Sequence, residues 1–171
     1  MKNLLFLIIV FMPSLAFPYD IIQKKIHVTG SVIDTACSVD MDSIDQSVNL
    51  GTLPLSTVID QAHQPDKKFS VRLDNCSLAR HDGGNDFKGF SINFMGTGDD
   101  GMFLLSGKAR GVALEIKDYN GQIIHPGIAV NTHKLENGNI TMDYYINIIS
   151  NGEKLNPGDY SGNIEYRLDY Y

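Results

Sequence analysis

The sequence predicts an all-β fold, arranged as one β-sandwich domain. Short segments in which apolar and polar side chains alternate every two residues recur along the chain, and turn residues separate them. The 171 residues include 16 Gly and no Trp, 43% are apolar, and strings of strong helix formers are few, which favours strands over helices. Seven or eight strands at this spacing are typical of a β-sandwich.

The first segment of the chain is typical of an export signal. A positive residue, a short apolar stretch and the small-x-small pattern of Ser14, Leu15 and Ala16 follow one another. The apolar stretch is too short to span a bilayer. We therefore expect a signal peptide at 1–16 and an exported mature chain that starts at Phe17; a buried N-terminal helix is the alternative.

The predicted strands follow in chain order. Their segments are "KKIHVTGSVIDTAC", "SVNLGTL", "KKFSVRLDNC", "FSINFMG", "GVALEIKDYNGQII", "ITMDYYINIIS" and "SGNIEYRLDYY". In the third segment, Phe69, Val71 and Leu73 lie on one face and polar residues lie on the other. In the fifth, the pair Asn120 and Gly121 predicts a hairpin turn.

The alternation in "FSINFMG" predicts a strand with one buried face, because Ser91 and Asn93 separate the apolar residues. Between the strands, polar segments rich in Gly, Pro or Asn predict loops. These predicted loops are 54–67, 78–89 and 125–139. We predict no amphipathic helix, no internal repeat and no linker, so the mature chain forms one domain.

Cys37 and Cys76 are the two cysteines of the sequence. Export brings them into an oxidising compartment, where a disulfide between them is expected. A metal-binding pair is the alternative, but neither a CxxC nor a Cys-His spacing supports it. The bridge would close a loop of about 40 residues and contribute roughly 4 kcal/mol in the chain-entropy description.

No motif of the chain predicts catalysis. The five histidines are scattered, "HDGGND" (81–86) lacks the spacing of a calcium loop, and "GTGDDGM" (96–102) is typical of a hairpin turn. Hydrolase, P-loop and dinucleotide motifs are missing. A net charge of -6 argues against nucleic acid as a partner. We therefore predict no enzyme activity, no cofactor and no metal site.

The last segment of the chain has the cleanest alternation. Ile164, Tyr166, Leu168 and Tyr170 are apolar or aromatic, a charged residue separates each from the next, and no polar tail follows Tyr171. Chain ends usually fray and carry small polar residues. A regular strand in this place needs a partner that covers it.

Taken together, these segments resemble the pilin subunits that a periplasmic chaperone and an outer-membrane usher assemble. The resemblance covers essentially the whole mature chain and rests on "VTGSVIDTAC", "SVNLGTL", "KKFSVRLDNC" and "GDYSGNIEYRLDYY" in this order behind a signal peptide. Within that group, "KKFSVRLDNC", "LLSGKARGVALEIKDYNGQ" and "ISNGEKLNPGDYSGNIEYRLDYY" are most similar to the subunit that terminates P-type pili at their base.

The resemblance implies an incomplete immunoglobulin-like β-sandwich that lacks its final strand. The last strand would then border an apolar groove and bind the chaperone, which lends a strand and holds the terminal carboxylate with basic residues. The residues implied for this edge are Ile164, Tyr166, Leu168, Tyr170 and Tyr171. In the fibre, the N-terminal extension of the next subunit replaces the chaperone. Such an edge has to stay covered, since an open strand edge promotes aggregation.

The resemblance also implies that residues 17–29 are a donor-strand extension and that residues 30–171 form the pilin domain. The inward row of the extension is Ile22, Lys24, Ile26 and Val28, ending at Gly30. Family extensions usually carry glycine where Lys24 stands. Either the stem of Lys24 lies along the groove, or the register shifts so that Ile21 and Gln23 take part.

The implied function is that of a structural subunit of a surface pilus, exported through the periplasm of a Gram-negative bacterium to the fimbrium. Its partners would be the periplasmic chaperone, the outer-membrane usher and neighbouring pilins, and its implied position is the base, where it ends fibre growth. An ordinary shaft or minor adaptor subunit is the alternative. A sugar-binding adhesin is disfavoured because the chain has no room for a separate lectin domain.

Overall fold

A computed structural model of the chain describes residues 29–30, 35–60, 66–80, 83–99, 101–134 and 136–171. The predicted signal peptide and the predicted donor-strand residues Ile22, Lys24, Ile26 and Val28 lie outside these ranges, whereas Gly30 lies within them and is exposed. The chain divides into two units, Met1–Val32 and Ile33–Tyr171. The second unit contains all of the elements that follow.

Strands dominate the described part of the chain, as the all-β prediction requires. In chain order the strands are β1 (Ser38–Val39), β2 (Lys67–Cys76), β3 (Gly89–Met95), β4 (Gly98–Asp99), β5 (Met102–Leu104), β6 (Ser106–Gly107), β7 (Val112–Asp118), β8 (Ile123–Ile124), β9 (Ala129–Lys134), β10 (Gly138–Ser150), β11 (Tyr160–Ser161) and β12 (Glu165–Tyr170). Two short helices lie between β1 and β2, namely α1 (Met41–Ile44) and α2 (Leu55–Ile59).

The strands form two main antiparallel sheets. One has the order β1-β2-β10-β7-β5-β4, with β8 paired to β7, and the other has the order β12-β3-β9. β6 and β11 form a separate two-stranded ribbon. This connectivity is non-local, since β2 pairs with β10 and β12 pairs with β3 across long stretches of sequence.

The hydrophobic core lies between the two main sheets. The ring of Phe94 in β3 meets Tyr144 of β10 edge-on, with a centroid distance of 4.9 Å, and Phe69 of β2 stacks on the same tyrosine at 5.3 Å. Phe94 and Tyr144 are almost fully buried. Burial of such rings is the main favourable contribution to folding, at about 25 cal/mol per Å² of apolar surface.

The predicted disulfide is present in the structure. It joins Cys37, which directly precedes β1, to Cys76, the last residue of β2, and both cysteines are buried. β1 has only two residues and pairs Ser38 with Asp74 of β2. The bridge therefore fixes this short edge strand to its long neighbour.

Two predicted hairpins are confirmed. β7 and β8 are joined by the turn at Asn120 and Gly121, where Gly121 adopts a φ of 81°. The carboxylate of Asp118 accepts hydrogen bonds from the backbone N–H groups of Asn120 and Gln122, both at 2.8 Å. In the segment "GTGDDGM", β4 and the start of β5 pair antiparallel, with Asp99 opposite Met102.

The prediction of a one-sided strand at "FSINFMG" is wrong. β3 is buried on both faces, and the outward residues Ser91 and Asn93 are 7% and 9% exposed. β3 lies between two strands, and the amide of Asn93 donates to the backbone carbonyl of Gly127, which covers the outer face. A polar side chain can be buried there because a hydrogen bond compensates part of its lost hydration.

Two of the predicted loops contain regular structure. Segment 54–67 includes α2, which buries Val58, and segment 125–139 includes β9 and the start of β10. Conversely, "SVNLGTL" contains no strand. A five-residue helix and the polar edge strand β9 lack a periodic signal in the sequence because tertiary contacts stabilise them.

Candidate functional site

β12 is an edge strand of the three-stranded sheet. Its pairing with β3 runs from Glu165, opposite Met95, to Tyr170, opposite Phe90. Its other side pairs with no strand in the part of the chain that the structure describes. The free N–H and C=O groups on such a side are a template for a further strand.

The two faces of β12 differ in character. Tyr166, Leu168 and Tyr170 are half-buried and pack against the core, whereas the charged residues between them are exposed. On the exposed face, Arg167 and Asp169 form an ion pair at 3.0 Å. Exposed pairs of this kind contribute little to stability, so the inward row dominates the energetics of the strand.

A groove of about 680 Å³ lies beside β12. Residues 158–164 with Tyr166 form one wall, here called the near wall, and residues 45–53 form the opposite one, the far wall. The floor consists of core side chains from both sheets, namely Phe69, Phe94, Leu105, Leu114, Ile116 and Ile146. The groove therefore reaches down to the sandwich core, whose side chains Phe94, Ile116 and Ile146 stay buried beneath it.

Two tyrosine side chains reach across the groove, and their hydroxyls form hydrogen bonds with the opposite side. Tyr166 donates a hydrogen bond to the backbone carbonyl of Ser43 at 2.6 Å, and Tyr160 donates one to the carbonyl of Gly51 at 3.4 Å. Burial raises the pKa of both phenols, so both remain protonated donors at neutral pH.

Ser43 anchors the far side of the shorter of these two bonds. It is 3% exposed, and its hydroxyl oxygen accepts a hydrogen bond from the backbone N–H of Arg72 in β2. The backbone N–H of Asp40 donates to the carbonyl of Arg72 in the same region. α1 is thereby attached to β2 through the hydroxyl of Ser43 and the backbone of the N-cap residue Asp40, and to β12 through Tyr166.

Tyr170 and Tyr171 lie at the other end of β12. The ring of Tyr170 contacts Phe87 and Phe90 at centroid distances of 5.8 and 5.9 Å. Burial, and then the neighbouring Tyr166, raise the pKa of its phenol. The backbone of Tyr171 exchanges hydrogen bonds with Gly89, so the pairing with β3 continues past the end of the strand.

The far wall is the part of the site that the sequence did not reveal. We predicted "SVNLGTL" as a strand, whereas these residues form an extended segment in which the side chain of Asn49 accepts from the N–H of Gly51. The spacing of an Asn two residues before a Gly is a turn signal that indicates this outcome. Nothing in the sequence singled out Ser43 or Tyr160.

The chemistry of the groove suits binding of a polypeptide strand. Its floor is apolar, and its walls offer backbone groups, hydroxyls and amides. Within the described ranges, no three His, Cys, Asp or Glu side chains gather closely enough to hold a metal ion. No helix in those ranges has the length and apolar character needed to cross a membrane.

Comparisons with known proteins agree with this geometry. The sequence profile of the family described as fimbrial protein matches residues 26–171. Over 145 residues the chain is 33% identical to the PAP fimbrial minor pilin protein of Escherichia coli, which covers 82% of this chain and 74% of that protein. Over 162 residues it is 25% identical to the fimbria A protein of Serratia marcescens, covering 92% and 90%.

A solved structure shares the fold. The P pilus rod subunit PapA superposes with a TM-score of 0.69 at 23% identity, and the match covers 80% of this chain and all of that one. The common architecture is an all-β, immunoglobulin-like sandwich of the pilin type.

Proposed function

The chain belongs to the fimbrial protein family, and we propose that it is the subunit that ends the growth of a chaperone-usher pilus at its base. As a pilin it is a structural protein rather than an enzyme, and it passes through the periplasm to the cell-surface fimbrium. Its partners in this role are the periplasmic chaperone, the outer-membrane usher and neighbouring pilin subunits.

The observation that carries the proposal is the open groove beside β12. A strand added there pairs with the free edge of β12 and places alternate side chains on the apolar floor. Each apolar side chain buried in this way contributes roughly 1.5–3 kcal/mol. The groove is therefore covered at every stage, first by a strand of the chaperone and later, in an ordinary subunit, by the extension of another pilin.

The position at the base has separate support. Fibre growth ends at a subunit that donates its own extension but accepts none. The two phenols that join the walls of the groove obstruct the space that an incoming extension needs. The 33% identity to a minor pilin of the PAP fimbria favours a minor subunit over a shaft subunit.

The donated segment is proposed to be residues 17–29, behind a signal peptide at 1–16. Its inward row of Ile22, Lys24, Ile26 and Val28, ending at Gly30, enters the groove of the preceding subunit. Lys24 is long enough for its stem to cover apolar surface while its ammonium group stays in water.

An exchange assay tests the proposal. The chaperone-bound protein is mixed with synthetic extension peptides from the other subunits of the same pilus, and release of the chaperone is followed over days. We expect the chaperone to remain bound, while a chaperone-bound rod subunit measured in parallel releases it. Rapid release from this protein would assign it to the shaft or to an adaptor position.

Fibre length in cells gives a second readout. Deletion of a terminating subunit leaves fibres that are longer and are shed more easily into the medium, whereas deletion of a shaft subunit leaves none. Unchanged fibre length after deletion of this subunit would contradict the terminating role.

A further inference from the structure

We infer that residues 43–51 form a strap that Tyr166 and Tyr160 fasten across the groove, and that release of this strap sets the rate at which a strand enters. The inference rests on the proposed function and adds to it the residues that control access to the groove. It follows from the two hydrogen bonds that connect the near wall to this segment.

The two fastenings differ in strength. The bond from Tyr166 to the carbonyl of Ser43 is short, at 2.6 Å, and its acceptor residue is buried. The bond from Tyr160 to the carbonyl of Gly51 is long, at 3.4 Å, and lies in an exposed position. A short and partly dehydrated hydrogen bond is the stronger of the two, so Tyr166 is the main fastening.

Apolar packing holds the strap at Leu50, which is partly buried against the core. Elsewhere Ile44 is 61% exposed and Val48 is 37% exposed, and α1 has only four residues. A helix of this length does not hold itself together in water. Apart from Tyr166 and Tyr160, the side-chain contacts of the strap include the bond of Gln46 to the carbonyl of Ser70 and that of Ser43 to Arg72. Hydrogen bonds therefore fix the position of the strap together with Leu50.

Entry of a strand competes with these fastenings. The ring of Tyr166 belongs to the same inward row that an added strand has to complete, and it packs against Phe94 of the floor at a centroid distance of 6.3 Å. Inward side chains of the added strand have to enter the space that the phenol spans. The far wall must therefore move away from β12, and this movement breaks the bond to Ser43.

The variants Tyr166→Phe and Tyr160→Phe remove a single hydroxyl each and keep the ring. Loss of one such hydrogen bond corresponds to an increase of about tenfold in the rate of strap release for Tyr166. We expect less than about threefold for Tyr160 because its bond is long and exposed. Tyr119→Phe is the matched control, since Tyr119 is 66% exposed in the turn after β7 and does not line the groove.

Hydrogen exchange of the mature protein without the chaperone, whose strand would already occupy the groove, tests the fastening directly. Amides in residues 44–51 should exchange about tenfold faster in Tyr166→Phe than in the wild type, and at the wild-type rate in Tyr119→Phe. Equal exchange in all three proteins would overturn the inference, whatever position the subunit has in a fibre.

Strand entry is then measured with a fluorescent synthetic peptide that copies residues 17–30, "FPYDIIQKKIHVTG". We expect Tyr166→Phe to take up the peptide about tenfold faster than Tyr119→Phe. If the amides of residues 44–51 exchange faster in Tyr166→Phe but this variant does not take up the peptide faster, the strap is not the barrier to strand entry. The same conclusion follows if no variant takes up the peptide. Rapid uptake by the wild type would contradict the terminating role, while the ratio between the variants would still decide the inference.

Discussion

At the scale of single residues, the buried carboxylate of Asp118 stabilises the hairpin between β7 and β8. It is 7% exposed at the end of β7 and accepts two backbone hydrogen bonds across the turn to β8. Asp118→Ala removes the acceptor and leaves two N–H groups without their partner, so we expect a loss of about 1–3 kcal/mol in unfolding free energy. Urea denaturation measures this loss of unfolding free energy. Asp169→Ala, which removes an exposed ion pair, should change the midpoint little.

Asp143 gives a prediction for the dependence of stability on pH. Hydrogen bonds from Lys68 and then from Ser70 lower the pKa of its carboxyl group. A carboxylate with a lowered folded-state pKa stabilises the protein above its unfolded-state pKa, and this contribution disappears as the pH falls through the folded-state value.

The variant Asp143→Asn should therefore unfold at lower urea concentration than the wild type at pH 7. The gap between the two midpoints should close as the pH falls below the ordinary range of an aspartate. The side chains of Lys68 and Asp143 are 52% and 33% exposed, so added salt should narrow the gap at pH 7 as well. A gap that widens on acidification would contradict the assignment of this pair as stabilising.

At the scale of elements, the inward row of β12 is the part of the chain that we expect the chaperone to recognise. Replacing Tyr166, Leu168 and Tyr170 together with Ser removes the apolar contacts of that row with the core. Without them the protein should not be captured by its chaperone and should be degraded in the periplasm. A pull-down with tagged chaperone measures the yield of the complex.

The matched control changes the outward row of the same strand. Glu165→Gln with Arg167→Gln removes one charge of each sign and alters exposed positions only. Complex yield should stay near that of the wild type. If the yield of the complex falls equally in both sets of variants, the chaperone depends on the charges of β12, which would contradict this prediction.

Elements with a clean two-residue alternation could be predicted from the sequence, and those stabilised by tertiary contacts could not. β2 begins and ends where "KKFSVRLDNC" begins and ends, because its buried and exposed faces alternate almost throughout. β9 was missed because its segment carries Gly, Asn and Pro signals of a loop. For the site, β12 could be predicted, whereas the far wall could not, since its position depends on hydrogen bonds between Ser43, Gln46 and Gly51 and residues distant in the sequence.

At the scale of the whole molecule, the disulfide fixes one edge of the larger sheet. Cys37 and Cys76 are separated by 39 positions, and a closed loop of this size restricts the unfolded chain. Replacing both with Ser should lower the unfolding free energy by about 2–5 kcal/mol. Thermal unfolding with and without a reducing agent measures it. The wild type should shift on reduction, and the double variant should be insensitive to it.

The groove also determines how we expect the complex with the chaperone to respond to force. Its floor of Phe94, Ile116 and Ile146 is at the same time the core of the sandwich. A strand added to this groove would therefore share a piece of protein interior with the subunit. Pulling the two chains apart would expose that interior to water and would resemble the mechanical unfolding of a domain more than the separation of two surfaces. A complex joined in this way should resist tension through folding free energy.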